Sequence, residues 1–346
     1  MLLEDFDYNL PEALIAQHPR EMRDHARMMI VNRETEEIVD DTFFNLPEYL
    51  KKGDVLVVND SKVIPARLIG KKETGGLIEI LLLSKKSTDA EVFPTWEVLL
   101  RPAKRVRIGI RISFENGCEA VIIDRISDKK WLITFMPESN FNHFLNQYGS
   151  APLPPYIKRN KDSVERNMDI DRYQTIYATI PGSVAAPTAG LHFSHLVLDG
   201  IKKKGGHVVS VTLHVGYGTF LPIESDLVEN HIMEEEYFEI SKETAEIINK
   251  AENVAAVGTT STRVIESAVD ENGKINAMSS RTGLFIYPGY RFKRVNTLIT
   301  NFHLPRSSLF LLVCAFAGKD LIGKAYQQAI ENHYRFYSYG DCMIIL

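Results

Sequence analysis

Only three cysteines occur in the 346 residues, Cys118, Cys314 and Cys342. They are scattered, odd in number and flanked by apolar residues. That pattern excludes a disulfide framework and a zinc-type ligand spacing, and predicts buried free thiols in a reducing, cytoplasmic setting. No apolar run approaches the roughly 20 residues that span a bilayer; Leu309 to Ala317 is far too short. The stretch Met1 to Asp7 is acidic and lacks a signal-peptide pattern, so no membrane association is expected. Positive charge is not in excess either: 40 Lys and Arg face 45 Asp and Glu, a net charge of −5. A uniformly basic nucleic-acid binder is thereby excluded, whereas a local basic patch is not. The chain also has no internal repeat, no low-complexity segment, no Walker Gly-Lys-Ser/Thr and no GxGxxG loop.

What is present is an ordinary globular composition, 45% hydrophobic and 25% charged, in a chain long enough for two domains. Asp54 to Asn59 is a continuous apolar run typical of a buried strand. Strands are further predicted at 27–32, 37–40, 208–215, 237–240, 254–258, 283–286 and 297–300. Helices are predicted at 10–16, 46–50, 141–149, 194–204, 242–251, 261–268, 308–317 and 321–333. From Ala66 to Phe135 the character changes to short strands separated by turn signals such as Thr74-Gly75-Gly76 and Glu115-Asn116-Gly117. The fold class predicted is mixed α+β. A larger α/β-type domain (1–65 and 150–346) with a mixed sheet carries an inserted, small, all-β barrel-like domain (66–149). Ala151 to Ile157 reads as an extended linker, and the charged run Lys158 to Asp171 as a mobile segment.

Three stretches gather chemistry. The run Ser183-Val184-Ala185-Ala186-Pro187-Thr188-Ala189-Gly190-Leu191-His192-Phe193 crowds small residues where a backbone passes close to a ligand and then starts a helix. Val254 to Arg263 reads as strand, tight turn and helix start. Thr259, Thr260 and Ser261 are placed to cap that helix, its free amides favour an anion, and Arg263 supplies a cation; an unliganded capped helix is the alternative. Leu298 to Ser308 is a buried strand ending in Thr300, Asn301, His303 and Arg306, ahead of a helix that is apolar nearly all round. Leu213 to Pro222 adds a strand running into a Gly216-x-Gly218 turn. His231-Ile232-Met233-Glu234-Glu235-Glu236 lacks the second histidine that a metal site would need, so no metal is expected. Basic clusters lie at Arg101, Lys104, Arg105, Arg107 and Arg111, at Lys202 to Lys204, and at Arg291 to Arg294; the first is the best candidate patch, since alternate strand residues share a face. Tyr334 to Asp341 is either a base-stacking surface or a packed terminal strand.

Taken jointly and in order, several stretches resemble the S-adenosylmethionine:tRNA ribosyltransferase-isomerase family of queuosine biosynthesis. They are Val57 to Arg67, Leu153 to Ile157, Asp171 to Ala178, Gly182 to Phe193, Leu213 to Pro222, Ala256 to Arg263, Ile286 to Tyr290, Thr300 to Ser308 and Tyr334 to Asp341. The resemblance covers essentially the whole chain. One departure is Glu234, where the family usually has a histidine after the methionine. The resemblance implies that the ribosyl part of S-adenosylmethionine is transferred to 7-aminomethyl-7-deazaguanine at the tRNA wobble position (GUN anticodons) and isomerised. The product is epoxyqueuosine, with adenine and methionine released. S-adenosylmethionine is a co-substrate, no metal or redox cofactor is implied, and the protein is expected to be a monomer in the cytoplasm.

Within that reading, His303 and His214 are candidate bases, since histidine titrates near neutral pH, followed by Asp60 and Glu236. Arg263 with the amides of Thr259 and Thr260 would hold the methionine carboxylate. His192, Gly190, Gly216 and Gly218, together with Thr219, Asn301 and Arg172, would border the substrates, and Tyr173 and Tyr339 would stack a base. Arg101, Lys104, Arg105, Arg107, Lys158 and Arg159 would touch the tRNA backbone. The competing readings are an S-adenosylmethionine-dependent tRNA methyltransferase, which usually has a GxGxG-type loop after its first strand, and a non-catalytic tRNA-binding protein.

Overall fold

The computed structural model describes the chain apart from residues 87–92, 105, 116, 137–139, 160–162 and 221, and describes no side chains at 163–167, 219 and 220. In chain order its elements begin with β1 (Arg27–Val31), β2 (Ile38–Thr42), β3 (Val55–Asn59) and β4 (Ser61–Val63). The inserted block follows: β5 (Arg67–Lys72), β6 (Leu77–Lys85), β7 (Thr95–Arg101), β8 (Arg111–Ser113), β9 (Glu119–Arg125), β10 (Lys130–Met136) and α1 (Phe141–Tyr148). Then come α2 (Ser163–Arg172), β11 (Ile180–Ser183), α3 (His195–Lys203), β12 (His207–Leu213), β13 (Glu236–Ile240), α4 (Lys242–Lys250), β14 (Val254–Val257) and α5 (Gly258–Ala268). The chain closes with β15 (Met278–Thr282), β16 (Thr297–Asn301), α6 (Ser308–Ala317), α7 (Lys319–Glu331) and β17 (Cys342–Ile345).

The large sheet has the order β15-β13-β12-β3-β14-β16-β17-β1-β2. Its centre, β12-β3-β14-β16, is parallel throughout. Every residue of β3, β14 and β16 is buried, as expected of strands covered on both faces. Antiparallel strands flank that centre on both sides. The predicted helices α3, α4 and α6 start at serines whose hydroxyls accept an amide of the first turn, Ser194, Ser241 and Ser307. Helix α6 is buried almost all round, in line with its uniformly apolar sequence.

The inserted strands close into a six-stranded antiparallel barrel, β10-β7-β6-β5-β8-β9. Period-two patterning sets its interior: in β10, Trp131, Ile133 and Phe135 are buried while their neighbours are not. Phe144 of α1 packs into this core. Chain entry and exit run side by side, because Arg67 and Ser150 exchange backbone hydrogen bonds of 3.2 and 2.9 Å.

Four local expectations are corrected. The strand expected at 283–286 lies instead at Met278–Thr282, where backbone groups face β13. The charged run expected to be mobile forms α2 over Ser163–Arg172, ending where Arg172 donates to the carbonyl of Glu21 at 3.1 Å. The short helices expected at 10–16 and 46–50 are 3-10 turns, Glu12–Leu14 and Phe43–Tyr49. The aromatic run 334–341 is an irregular packed segment, and the strand begins only at Cys342.

Candidate active site

Four parallel strands end on the same side of the sheet. Each delivers a chemically distinctive residue just past its carboxyl end: Asp60 and Ser61 after β3, His214 and Gly216 after β12, Gly258 to Thr260 after β14, and His303 after β16. Such edges are the usual ligand-binding places in α/β sheets. Two hollows open there. An inner cavity of about 490 Å3 is lined by the 186–189 segment, Gly258, Thr259, Thr260, Asn301, His303, Tyr337 and acidic Glu224 and Asp226. An outer cleft of about 1330 Å3 lies between barrel and sheet, with Arg67, Arg101 and Lys130 on one wall and His214, Gly216 and Glu236 on the other. Val215 borders both.

In the inner cavity α5 begins two residues earlier than a cap at Thr259 would require. Gly258 takes φ 80°, and the residue before the helix, Val257, makes no side-chain cap. Thr259, Thr260 and Ser261 are therefore inside the first turn, and the correction matters: the orphan amides of that turn are not satisfied by these side chains. The Oγ1 of Thr260 and the hydroxyl of Tyr337 are buried without a protein partner, and both residues line the cavity. Tyr337 stacks on Tyr156 with centroids 4.6 Å apart. Asn301 accepts from Thr188 Oγ1 at 2.8 Å and its amide lies 3.1 Å from Nε2 of His192.

His303 does not have the titration expected of it. Burial pushes it down to about 3, so it is neutral near pH 7 and weakly basic. Its Nε2 lies 2.7 Å from Thr300 Oγ1. His192 is likewise pushed down by burial, to about 4.

On the outer side, Glu236 is 6% exposed. Its Oε1 accepts the amide of Gly216 at 2.7 Å, and its Oε2 pairs with Arg263 Nη1. Nε and Nη2 of Arg263 donate to the carbonyls of Leu284 (3.0 Å) and Thr282 (3.3 Å). Arg263 lines neither hollow; its guanidinium is consumed in holding Glu236. His214 presses against Gly182, where a Cβ would come within 2.5 Å of the imidazole, and stacks on Tyr237. Burial lowers its pKa, against the pull of Asp60 and Glu239. Asp60 accepts from Thr212 Oγ1 at 2.7 Å and lines neither hollow.

Other candidates serve the framework. Tyr173 and Tyr339 are buried edge to face, 6.0 Å apart, and offer no open ring to a base. Gly190 is dictated by the Tyr177 hydroxyl, 2.1 Å from where a Cβ would sit. Arg172 donates to backbone carbonyls of Glu21 and Arg20. Arg159 grips Asp169 through two nitrogens, at 2.7 and 2.9 Å, and Lys158 pairs with Glu12. Arg101, Lys104 and Arg107 are exposed on the barrel; Arg105 and the Thr219 side chain lie outside the described residues. Gly218 abuts Glu234, and Glu234 reaches Lys130 of the barrel, as Glu224 reaches Lys129 at 3.2 Å. The position of the departure from the family pattern thus ties the segment before β13 to the barrel. Sequence reasoning missed Thr260 and Tyr337 as a pair with free hydroxyls, since they lie far apart in the chain.

Among the described residues no group of three or more His, Cys, Asp or Glu is placed to hold a metal ion, and no helix is long and apolar enough to cross a membrane. Residues 3–345 match the family model described as queuosine biosynthesis protein. Curated relatives named S-adenosylmethionine:tRNA ribosyltransferase-isomerase include those of Syntrophus aciditrophicus, 56% identical, and Caldanaerobacter subterraneus, 48% identical, with all of both chains covered. The crystal structure of the S-adenosylmethionine tRNA ribosyltransferase from Thermotoga maritima is 34% identical and aligns over 99% of this chain and 100% of that one, with a TM-score of 0.55. The chain belongs to the queuosine biosynthesis protein family, the S-adenosylmethionine:tRNA ribosyltransferase-isomerases.

Proposed function

We propose that this enzyme transfers and isomerises the ribosyl moiety of S-adenosylmethionine onto 7-aminomethyl-7-deazaguanine at the tRNA wobble position. The product is epoxyqueuosine in tRNA, and adenine and methionine leave. One observation carries the reading: a mainly apolar cavity with an uncapped helix start adjoins, across Val215, a wide cleft with basic residues on one wall. A small sulfonium co-substrate suits the first, and a polyanion with an everted base suits the second. The inner volume lies within the roughly 300–1,000 Å3 of small-molecule sites.

In this reading the amides at the start of α5 and the hydroxyls of Thr260 and Tyr337 bind the methionine carboxylate, taking the part first given to Arg263. Glu224 and Asp226 face the sulfonium charge. The apolar wall from Ala185 to Ala189 excludes water from the reacting ribose. Glu236, fixed by Arg263 and Gly216, is the anionic group that orients the incoming aminomethyl nitrogen. Arg101, Lys104 and Arg107 meet the RNA backbone from the barrel side.

Incubation with S-adenosylmethionine and tRNA bearing the aminomethyl base, followed by mass spectrometry of the nucleosides and small molecules, tests the proposal. Epoxyqueuosine with free adenine and methionine is expected. S-adenosylhomocysteine with a methylated nucleoside would transfer the case to methyl transfer, and tRNA binding without product would leave a binding protein.

A further inference from the structure

The cleft wall contains a chain of hydrogen bonds whose direction is fixed at one end. The backbone N–H of Val215, which can only donate, lies 2.9 Å from Ser183 Oγ. Ser183 Oγ is 2.6 Å from Ser61 Oγ, and Ser61 Oγ is 2.8 Å from Nδ1 of His214. Both serines are fully buried. A buried hydroxyl left without an acceptor is costly, and the sole described acceptor for the Ser183 proton is Ser61. Ser61 must then pass its own proton on to Nδ1.

From this geometry we infer that neutral His214 is held as the Nε2–H tautomer. It presents a hydrogen-bond donor, not a basic lone pair, to the outer cleft. Ser61 and Ser183 are positioning residues that act through it. The imidazole cannot turn over to exchange its nitrogens freely, because it is clamped between the Gly182 backbone and the Tyr237 ring, to which its own plane is inclined by 24°. The charged groups facing it are Asp60 and Glu239; neither contacts Nδ1. The acceptor that such a donor would meet is a carbonyl oxygen or unprotonated ring nitrogen of a nucleobase. This last step rests on the proposed reading of the cleft as the RNA-base site, whereas the tautomer assignment does not.

Two measurements test the inference. The first is long-range proton–nitrogen correlation NMR on the full chain with labelled histidine, at a pH where His214 is neutral, its signals identified by their loss in His214→Gln. A pyridine-type Nδ1 and a pyrrole-type Nε2 are expected, with the preference weakened in Ser61→Ala. A protonated Nδ1 in the wild-type protein overturns the assignment, whatever the enzyme turns over. The second compares His214→Gln, which can place an N–H near the former Nε2, with His214→Glu, which places an acceptor there. Glu should lose roughly 100-fold in kcat, in the range for loss of an oriented donor, and Gln clearly less. Equal or reversed losses overturn the donor role. Absence of any ribosyl transfer by the wild-type protein would instead refute the proposed function and leave the NMR result standing.

Discussion

Arg263 distinguishes two accounts of the site, because a guanidinium that clamps Glu236 and one that binds a ligand respond differently to removal. In Arg263→Met the Glu236 carboxylate, 6% exposed, would lose the guanidinium that faces its Oε2 while Oε1 keeps the Gly216 amide. The carbonyls of Leu284 and Thr282 would also lose their donors. Breaking a buried pair from one side costs about 3–5 kcal/mol. For a chain of this size that corresponds to a fall of roughly 4–7 °C in Tm.

Differential scanning calorimetry near pH 7, with Glu236→Leu and the double variant completing a cycle, reads the deficit. In the double variant no unpaired charge remains, and much of the loss should return. A deficit in Arg263→Met below about 1 kcal/mol would refute the clamp and restore Arg263 as a ligand-binding cation.

Thr260→Val should raise the dissociation constant for S-adenosylmethionine about 10-fold, the worth of a hydrogen bond to a charged group, while Tm stays put, since the hydroxyl it removes has no protein partner; calorimetric titration reads the first and a thermal scan the second. His303 and His192, held at about 3 and about 4 by burial, take up protons near pH 6.5 only once unfolded. They contribute stability that is present above that pH and lost on acidification, so His303→Gln should show a shallower decline in unfolding free energy between about pH 6.5 and 4. Arg101→Glu with Lys104→Glu should weaken tRNA binding and reduce the slope of log affinity against log salt by about 2, roughly one per phosphate contact; an unchanged slope would place the RNA elsewhere.

The fold was legible where one physical signal dominates. The unbroken apolar run 55–58 read as typical of a buried strand, and alternation with glycine turns marked the barrel. It was illegible where long-range pairing decides. Met278–Thr282 is polar and becomes a strand because β13 offers it a free edge. Likewise the aromatic run before Cys342 drew attention from the strand behind it. At the site, the strand-then-loop pattern pointed to Thr259, Thr260, His214 and His303, and all four lie just past the carboxyl ends of parallel strands. Their roles depended on what surrounds them: burial removes the basicity of His303, and a carboxylate occupies Arg263. Neither partner is near in sequence.

The position of β17 also bears on the order in which the molecule can be assembled. The β1–β2 hairpin, finished by residue 42, meets the rest of the large sheet only through residues 342–345. During synthesis the barrel and the parallel centre can form from segments already made, while this hairpin must wait some 300 residues for the strand that ties it in. Until then β16 and β1 each present an open, apolar edge, the kind of surface that pairs with a neighbouring chain. Completion of the sheet is thus a late, single closure, and the interval before it is the period of greatest exposure to aggregation and chaperone capture.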